Sequence, residues 1–419
     1  MILHCRACQS DDIKQIFSLG FTPLANALLT KDQINRTEEK YPLDLVFCQS
    51  CSLVQIVETV PPEKLFSEYF YVSSVSKTTV ENARALAQNL IEKLSLDGNS
   101  HVLEIGSNDG YLLKNYVENG INVIGVEPAK SLSDVANSKG IRTINGFFNK
   151  VNAMKLSGDI WQPSSKEATW RYKADIIHAN NVLAHVADIH GVLEGIKYLL
   201  RPDGVAVVET HYVRDLIEGN QFDCVYHEHL FFYSATSIKR LFEIHDLELV
   251  DIERIPMHGG SLRGYFQLMD GPKSMKNKRV GDLLKEESDL EMDNPYFYQR
   301  LGVKVLTLKS ALIGMLKKLK ADGKRIAIFG ASAKSTTLLN YFCMDGVFEY
   351  VVDDTPNKQG HFTPGTHLPI YPTSKLLEDM PEYTLMLTWN FKDEILERQK
   401  AYREKGGKFI VPIPKLEIV

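Results

Sequence analysis

No apolar run in the 419 residues reaches the roughly 18 to 20 that a membrane-spanning helix needs, so no membrane partner is expected. Charge of one sign is equally lacking. Lys and Arg number 48 against 53 Asp and Glu, a formal net charge of −5, and no block of like charges stands out. A protein that grips a nucleic-acid backbone usually carries a basic surplus, so nucleic acid is a poor expectation. A small phosphorylated ligand needs only one or two local cations and stays open. Low-complexity segments and internal repeats are absent. The opening residues Met1-Ile2-Leu3-His4-Cys5 lack the charged and apolar regions of a secretory signal, and a cytoplasmic location is expected. Cysteine is scarce: six residues, four of them grouped, with Cys224 and Cys343 alone. In a large chain without a signal such a group points to metal rather than to disulfides.

The chain is too long for one ordinary core, so two or three domains are expected. Residues 1–70 hold the grouped cysteines among short β-rich pieces such as Leu43-Asp44-Leu45-Val46-Phe47. Residues 71–270 begin with a helix over 78–94 and then alternate strand and helix. Strands are expected at His101–Ile105, Val123–Val126, Ala174–Ala179 and Val205–Glu209, the pattern of a doubly wound α/β unit with a parallel sheet. Residues 271–322, rich in Lys, Glu, Leu and Asp, read as connecting helices. Residues 323–419 read as a second Rossmann-like α/β unit, with strands at Arg325–Phe329, Phe348–Val352, Tyr383–Leu387 and Lys408–Pro412.

Cys5-x-x-Cys8 and Cys48-x-x-Cys51 are two CxxC pairs separated by 39 residues. Each pair places two thiolates on one turn, and two turns supply the tetrahedral sulfur shell that Zn²⁺ favours. Four sulfur ligands leave no open position, so a structural ion is expected. Four buried or redox cysteines are the alternative.

Glu104-Ile105-Gly106-Ser107-Asn108-Asp109-Gly110 follows a strand, where glycine lets backbone N–H groups approach a ligand. The spacing Glu104-x-Gly106-x-x-x-Gly110 differs from a dinucleotide fingerprint and resembles motif I of class I methyltransferases, which bind S-adenosylmethionine (SAM). With Glu104, Gly106, Asn108 and Gly110 goes Glu127, which ends the next strand, where a carboxylate takes both ribose hydroxyls; a surface helix cap is the alternative. Leu200-Arg201-Pro202-Asp203-Gly204 resembles the turn before the fifth methyltransferase strand. Phe147 and Phe148 line an adenine pocket or belong to the core.

After the fifth strand comes Phe222-Asp223-Cys224-Val225-Tyr226-His227-Glu228-His229. His229 is the candidate general base, because an ordinary imidazole titrates near neutrality. Glu228 either orients it or binds a substrate hydroxyl, and Tyr226 is placed to donate to an oxyanion. Asn181 and His185, just beyond the fourth strand, are candidate hydrogen-bonding partners of an enolate oxygen. The His-x-His string as a metal pair lacks a third ligand with convincing spacing. In the last unit Gly330-Ala331-Ser332-Ala333-Lys334-Ser335-Thr336 opens a helix, where Lys334, Ser335 and Thr336 suit a pyrophosphate. Lys358 marks a nucleoside contact or a turn, and Trp389 either stacks on a base or packs.

Across its full length the chain resembles the nucleotide-sugar C-methyltransferases. The matching residues are Cys5, Cys8, Cys48, Cys51, Tyr69–Ser74, the 104–110 loop, Glu228-His229, Phe231–Ser237, His258-Gly259-Gly260-Ser261 and Gly330–Ser335. The resemblance implies a zinc-binding N-terminal domain, a central SAM domain and a C-terminal Rossmann-like domain that helps hold the sugar nucleotide. It implies His229 as base, with Glu228, Tyr226, Asn181, His185 and Tyr71 around the sugar, and His258 on the substrate side. His227 stands where Asp is common in the family, which puts that residue's local partner in question. The implied reaction is SAM-dependent methylation at C3 of a nucleotide-linked 4-keto-6-deoxy sugar, by a monomer. Sugar O- or N-methylation is the rival, and a zinc-ribbon regulatory or nucleic-acid-binding module with a SAM-like fold is the alternative of another class.

Overall fold

The computed structural model describes residues 4–66, 72–159, 173–273 and 275–419. In chain order the first strands are β1 (Ile13–Thr22), β2 (Tyr41–Cys48) and β3 (Val54–Ile56). There follow β4 (His101–Ile105), β5 (Asn122–Glu127), β6 (Thr143–Asn145), β7 (Ala174–Asn180), β8 (Leu200–His211), β9 (Phe231–Phe232), β10 (Leu247–Ile255) and β11 (Ser261–Leu268). The last are β12 (Ile326–Phe329), β13 (Val351–Val352), β14 (Ile370–Tyr371), β15 (Tyr383–Met386), β16 (Lys408–Val411) and β17 (Glu417–Ile418).

The central sheet has the order β10-β11-β8-β7-β4-β5-β6. It is parallel from β8 to β6, while β11 runs antiparallel to both β8 and β10. Val102, Leu103, Ile124, Ile176 and Ile177 are wholly buried, because helices cover both faces of such a sheet and its strands must be apolar on both. The helix Lys77–Leu94 is one cover. Ser76 caps it by accepting from the Thr79 amide, and Ala83, Leu86, Ala87 and Leu90 form its buried stripe. Burying Leu86 and Leu90 alone contributes on the order of 3–6 kcal/mol. The strand order reverses at β4, which pairs with β5 on one side and β7 on the other. Ligands of open α/β sheets bind in the crevice at such a reversal, beyond the carboxyl ends of the strands.

The C-terminal sheet, β14-β13-β12-β15-β16-β17, is parallel except for β17. Its second strand is shorter than the apolar run 348–352 suggests, since only Val351 and Val352 join the ladder. Between the two α/β units lie the helices Arg279–Asp289 and Pro295–Ala321. The longer one starts with an Asn294 cap and a proline in its first turn, and buries Phe297, Leu301, Val305, Leu308, Leu312 and Leu316.

The N-terminal sheet is not closed by the first 70 residues. Its order is β1-β2-β3-β9, so its fourth strand is Phe231–Phe232, the residues just after His229. The same N-terminal segment reaches the C-terminal unit. Thr336 Oγ1 donates to the Ala25 carbonyl at 2.8 Å, and Glu38 accepts from the Gly365 amide at 2.9 Å. Among the described residues no helix is long and apolar enough to cross a membrane.

Candidate active site and metal centre

Cys5 and Cys8 lie in a turn before β1, Cys48 ends β2, and Cys51 lies in the turn that leads to β3. Cys5 Sγ is 3.6 Å from Cys51 Sγ, Cys8 Sγ is 3.5 Å from Cys48 Sγ, and the four sulfurs all lie within 4.8 Å of one another. A tetrahedron with Zn–S bonds near 2.3 Å sets sulfurs about 3.8 Å apart, so the donor set fits zinc and leaves no position for substrate. Between the first two ligands, Arg6 buries its guanidinium. It donates to Gln55 Oε1 at 3.1 Å, to Thr59 Oγ1 at 2.7 Å and to the Ile56 carbonyl. Burial pulls its pKa down to about 10.

At the carboxyl end of β4 the chain turns through Gly106 (φ +64°) and Gly110 (φ +80°). A Cβ on Gly106 would lie 2.5 Å from Val182 Cγ2, and one on Gly110 would lie 2.6 Å from Ile141 Cδ1, so both positions need glycine. Glu127, at the end of β5, braces the turn: Oε2 accepts from the Asn108 amide and Oε1 from the Ala129 amide, each at 2.8 Å. Burial raises its pKa despite those two hydrogen bonds. A carboxylate has about four acceptor positions, so two remain for a pair of hydroxyls. Glu104 is 1% exposed, and its Oε2 has no hydrogen-bond partner among the described residues. Burial, and then the neighbouring Glu127, Asp109 and Glu209, hold its carboxyl well above the usual range. Asp109 is paired with Lys139 and Glu209 with Arg263, which leaves the Glu104 carboxyl without a cation of its own among the described residues, and SAM carries a sulfonium and an ammonium. Phe147, two residues beyond β6, is 46% exposed, whereas Phe148 is a core residue. A Cβ on Gly195 would meet the Phe148 ring at 2.8 Å, so of the expected pair only Phe147 is free to lie against a flat ligand.

At the same carboxyl end of the parallel strands lie Asn181 (φ +57°), directly after β7, then His185 in the next turn, His211 at the end of β8, and His258 (φ +54°) between β10 and β11. His229 stands among them. Its ring centroid lies 4.8 Å from that of His185 and 5.0 Å from that of His211. His211 to His258 is 5.9 Å. His229 Nδ1 is 2.8 Å from the Cys224 carbonyl oxygen, and its Nε2 is 2.9 Å from the Tyr226 hydroxyl. A carbonyl only accepts, so Nδ1 carries the proton, and the Nε2 lone pair faces Tyr226. Burial, followed by His185, Lys334 and His258, pulls the His229 pKa well below its ordinary value. His258 is pulled down to about 4, and His185 also to about 4, chiefly by burial. The cluster is therefore a set of neutral imidazoles.

Glu228 does not orient His229. The Cys224 carbonyl has that place, and Glu228 Oε1 instead accepts from Asn26 Nδ2 at 2.7 Å. Glu228 is 3% exposed, and burial raises its pKa to about 7 against the opposing effects of Asn26 and Lys358. His227 points away, with Nε2 3.2 Å from the Pro42 carbonyl on β2, which settles its partner. Tyr71 lies outside the described residues. Asn26 was not legible in the sequence, since it arrives from the N-terminal unit 202 positions away. His211 had a signal that sequence reasoning passed over: it ends a central strand, where ligands collect.

The turn after β12 differs from the expected phosphate cradle. Ser335 Oγ donates to the Gly330 carbonyl at 2.6 Å inside a capping box with Ser332, and Thr336 is held by Ala25, so both hydroxyls are engaged within the protein. Lys334 turns toward the histidines. Its Nζ is 3.0 Å from Cys224 Sγ and 4.8 Å from the centroid of the Trp389 ring. Trp389 is buried rather than open for stacking, and its Nε1 donates to Asp223 Oδ2 at 2.7 Å. Lys358 donates to the Ala331 carbonyl at 2.9 Å and faces Glu228 electrostatically.

A glycine-turn crevice at the reversal of a class I sheet, beside a set of neutral bases, defines a SAM-dependent methyltransferase with an added zinc-binding domain. Three family models cover the chain: a zinc binding domain over residues 5–66, a methyltransferase domain over 80–252 and a C-methyltransferase C-terminal domain over 256–414. The chain belongs to the C-methyltransferase family. It is 33% identical to the C-methyltransferase NovU of Streptomyces niveus, over 99% of this chain and 96% of that one. It is also 30% identical to a ubiquinone biosynthesis O-methyltransferase of Bradyrhizobium diazoefficiens, over 29% of this chain and 43% of that one. Among solved structures, the CcbJ methyltransferase of Streptomyces caelestis aligns with 45% of this chain and 89% of its own, at 14% identity and a TM-score of 0.33.

Proposed function

We propose that this C-methyltransferase acts at C3 of a nucleotide-linked 4-keto-6-deoxy sugar. The observation that carries the reading is the His229 imidazole, whose Nδ1 proton is tied to the Cys224 carbonyl so that Nε2 keeps a lone pair, facing the Tyr226 hydroxyl. Carbon is a poor nucleophile until a neighbouring carbonyl acidifies its C–H and a base removes that proton. SAM, when bound, supplies a methyl group already activated on sulfonium.

In this reading Glu104, Gly106, Asn108, Gly110, Glu127 and Phe147 hold the cofactor. His229 Nε2 takes the C3 proton, the C3–methyl bond forms as the sulfur–methyl bond breaks, and the proton leaves on the imidazole. Tyr226 donates to Nε2 in the resting site and turns its hydroxyl to the ketone oxygen when the sugar enters. Asn181 and His185 add donors on the same side, with Tyr71 near the sugar. Glu228, held by Asn26, binds a sugar hydroxyl, and His258, Lys358 and Trp389 border the nucleotide side. The chain acts as a cytoplasmic monomer.

The test is isotope exchange. The chain with S-adenosylhomocysteine is incubated in D₂O with TDP- and GDP-linked 4-keto-6-deoxyhexoses chosen by thermal shift. Deuterium should enter C3 without methylation, and [¹³C-methyl]SAM should then label carbon. An O-methyl product without exchange overturns the reading in favour of sugar O-methylation.

A further inference from the structure

Lys334 is delivered to the histidine cluster by the C-terminal unit, one residue into the helix Ala333–Phe342. Its neighbours fix where the ammonium sits. Nζ contacts Cys224 Sγ at 3.0 Å, and the backbone carbonyl of the same Cys224 orients His229. The ammonium also lies 4.8 Å over the Trp389 ring, an arrangement that favours a cation. Trp389 in turn is tied to Asp223, and a Cβ on Gly259 would meet the Trp389 ring at 2.7 Å, so the ring is clamped between two elements.

We propose that Lys334 is a positioning residue of the methyl-transfer site: its ammonium, held against Cys224 and Trp389, sets a fixed positive charge beside the imidazole cluster that offsets the negative charge formed when the substrate carbon is deprotonated. The proposal rests on the proton-removal reading above. It replaces the pyrophosphate role that the 330–336 sequence suggests.

The groups facing His229 are Tyr226 and Cys224 of its own segment, His185 after β7, His211 at the end of β8, His258 of the Met257–Gly260 turn, and Lys334, with Asp223 beside the lysine. Lys334 lowers the pKa of His211, His229 and His258 alike. A cation beside an imidazole disfavours its protonation, so removing the cation raises the pKa. Less neutral base then remains at acid pH, whereas at neutral pH what is lost is the positive charge that offsets the deprotonated substrate.

The experiment uses the full chain with its zinc, ¹³C/¹⁵N-labelled at histidine, as wild type, Lys334→Gln and Lys334→Arg, titrated by NMR without any sugar nucleotide. SAM affinity and near-UV circular dichroism serve as folding controls. Lys334→Gln should raise the apparent pKa of the His229 and His211 signals, whereas Lys334→Arg should titrate like wild type. In the exchange assay the acid limb should move to higher pH for Lys334→Gln alone, with a rate loss on the order of 10²-fold at neutral pH. A folded Lys334→Gln that titrates as wild type overturns the proposal. Absence of exchange in the wild type would sink the sugar reading but leave the imidazole titration decisive for Lys334.

Discussion

Replacing Glu228 by Gln should make the protein more stable at pH 8. The Asn26 Nδ2 donor meets an oxygen at 2.7 Å, and Gln keeps that oxygen while removing the charge. In the folded chain the carboxyl is 3% exposed, and burial raises its pKa from 4.5 to about 7. An acid with a raised folded pKa contributes its full stability below the unfolded value and loses it as pH rises through the folded one. The loss therefore develops between pH 4.5 and about 7 and is complete above that. At 1.36 kcal/mol per unit it amounts to about 3 kcal/mol. Glu228→Gln escapes it. For a cooperative unit of about 200 residues, that corresponds to a Tm roughly 6–12 °C higher than wild type at pH 8. The two proteins should melt together near pH 4.5, since the wild-type side chain is then neutral. Differential scanning fluorimetry across pH 4.5–8.5 reads the gap, and other titrating groups cancel between isosteric proteins. A gap that is absent at pH 8, or independent of pH, refutes the reasoning.

His229→Gln should retain SAM binding by calorimetry and lose methyl transfer by about 10²- to 10⁴-fold, the usual worth of a positioned base; loss of SAM binding with turnover intact would reverse the assignment. Glu127→Gln should destabilise the chain even without cofactor, by about 1.5–3 kcal/mol, because one of the Asn108 and Ala129 amides then faces an NH₂ group. An effect seen only when SAM is added would make Glu127 a ribose ligand without the bracing role. Cys48→Ser should lower zinc content below one per chain by atomic absorption and loosen the N-terminal sheet in hydrogen exchange, as expected when one of four thiolates is lost. One zinc per chain in that variant would contradict the four-sulfur centre.

The parts of this molecule that are local were legible in the sequence. The CxxC pairs, the glycine turn with Glu104 and Glu127, and the His229 segment each lie within a short run whose residue types carry their chemistry. The parts that arise from distant pairing were not. Asn26 meets Glu228, and His227 meets Pro42, across 202 and 185 positions, and no periodicity encodes such contacts. The helix start at 332–336 misled for a physical reason. A Ser-rich turn that can hold phosphate is equally able to cap its own helix, and Ser332 and Ser335 do the latter. Lys334 is then left to point elsewhere, and only tertiary structure decides where.

The central sheet with its glycine turn accounts for the donor side of a methyltransferase, and the two added units require a reason. The acceptor side supplies one. Tyr226 and His229 lie on an irregular stretch between the 3₁₀ turn Phe222–Cys224 and β9, with no strand of the central sheet to fix them. A base must hold its place to within about 0.5 Å to be useful, and a loop on its own does not. Here the stretch is held from both sides. β9 pairs with β3, placing Phe231 opposite Gln55 and Phe232 opposite Val54, in the same turn-and-strand region that carries Cys51. From the other side Thr337 Oγ1 donates to the Val225 carbonyl at 3.2 Å, and Lys334 meets Cys224. With His229 as the base proposed above, the four-cysteine centre gains a bearing on the chemistry, because Cys48 ends the strand β2 and Cys51 precedes the strand β3 on which the His229 segment is anchored through β9.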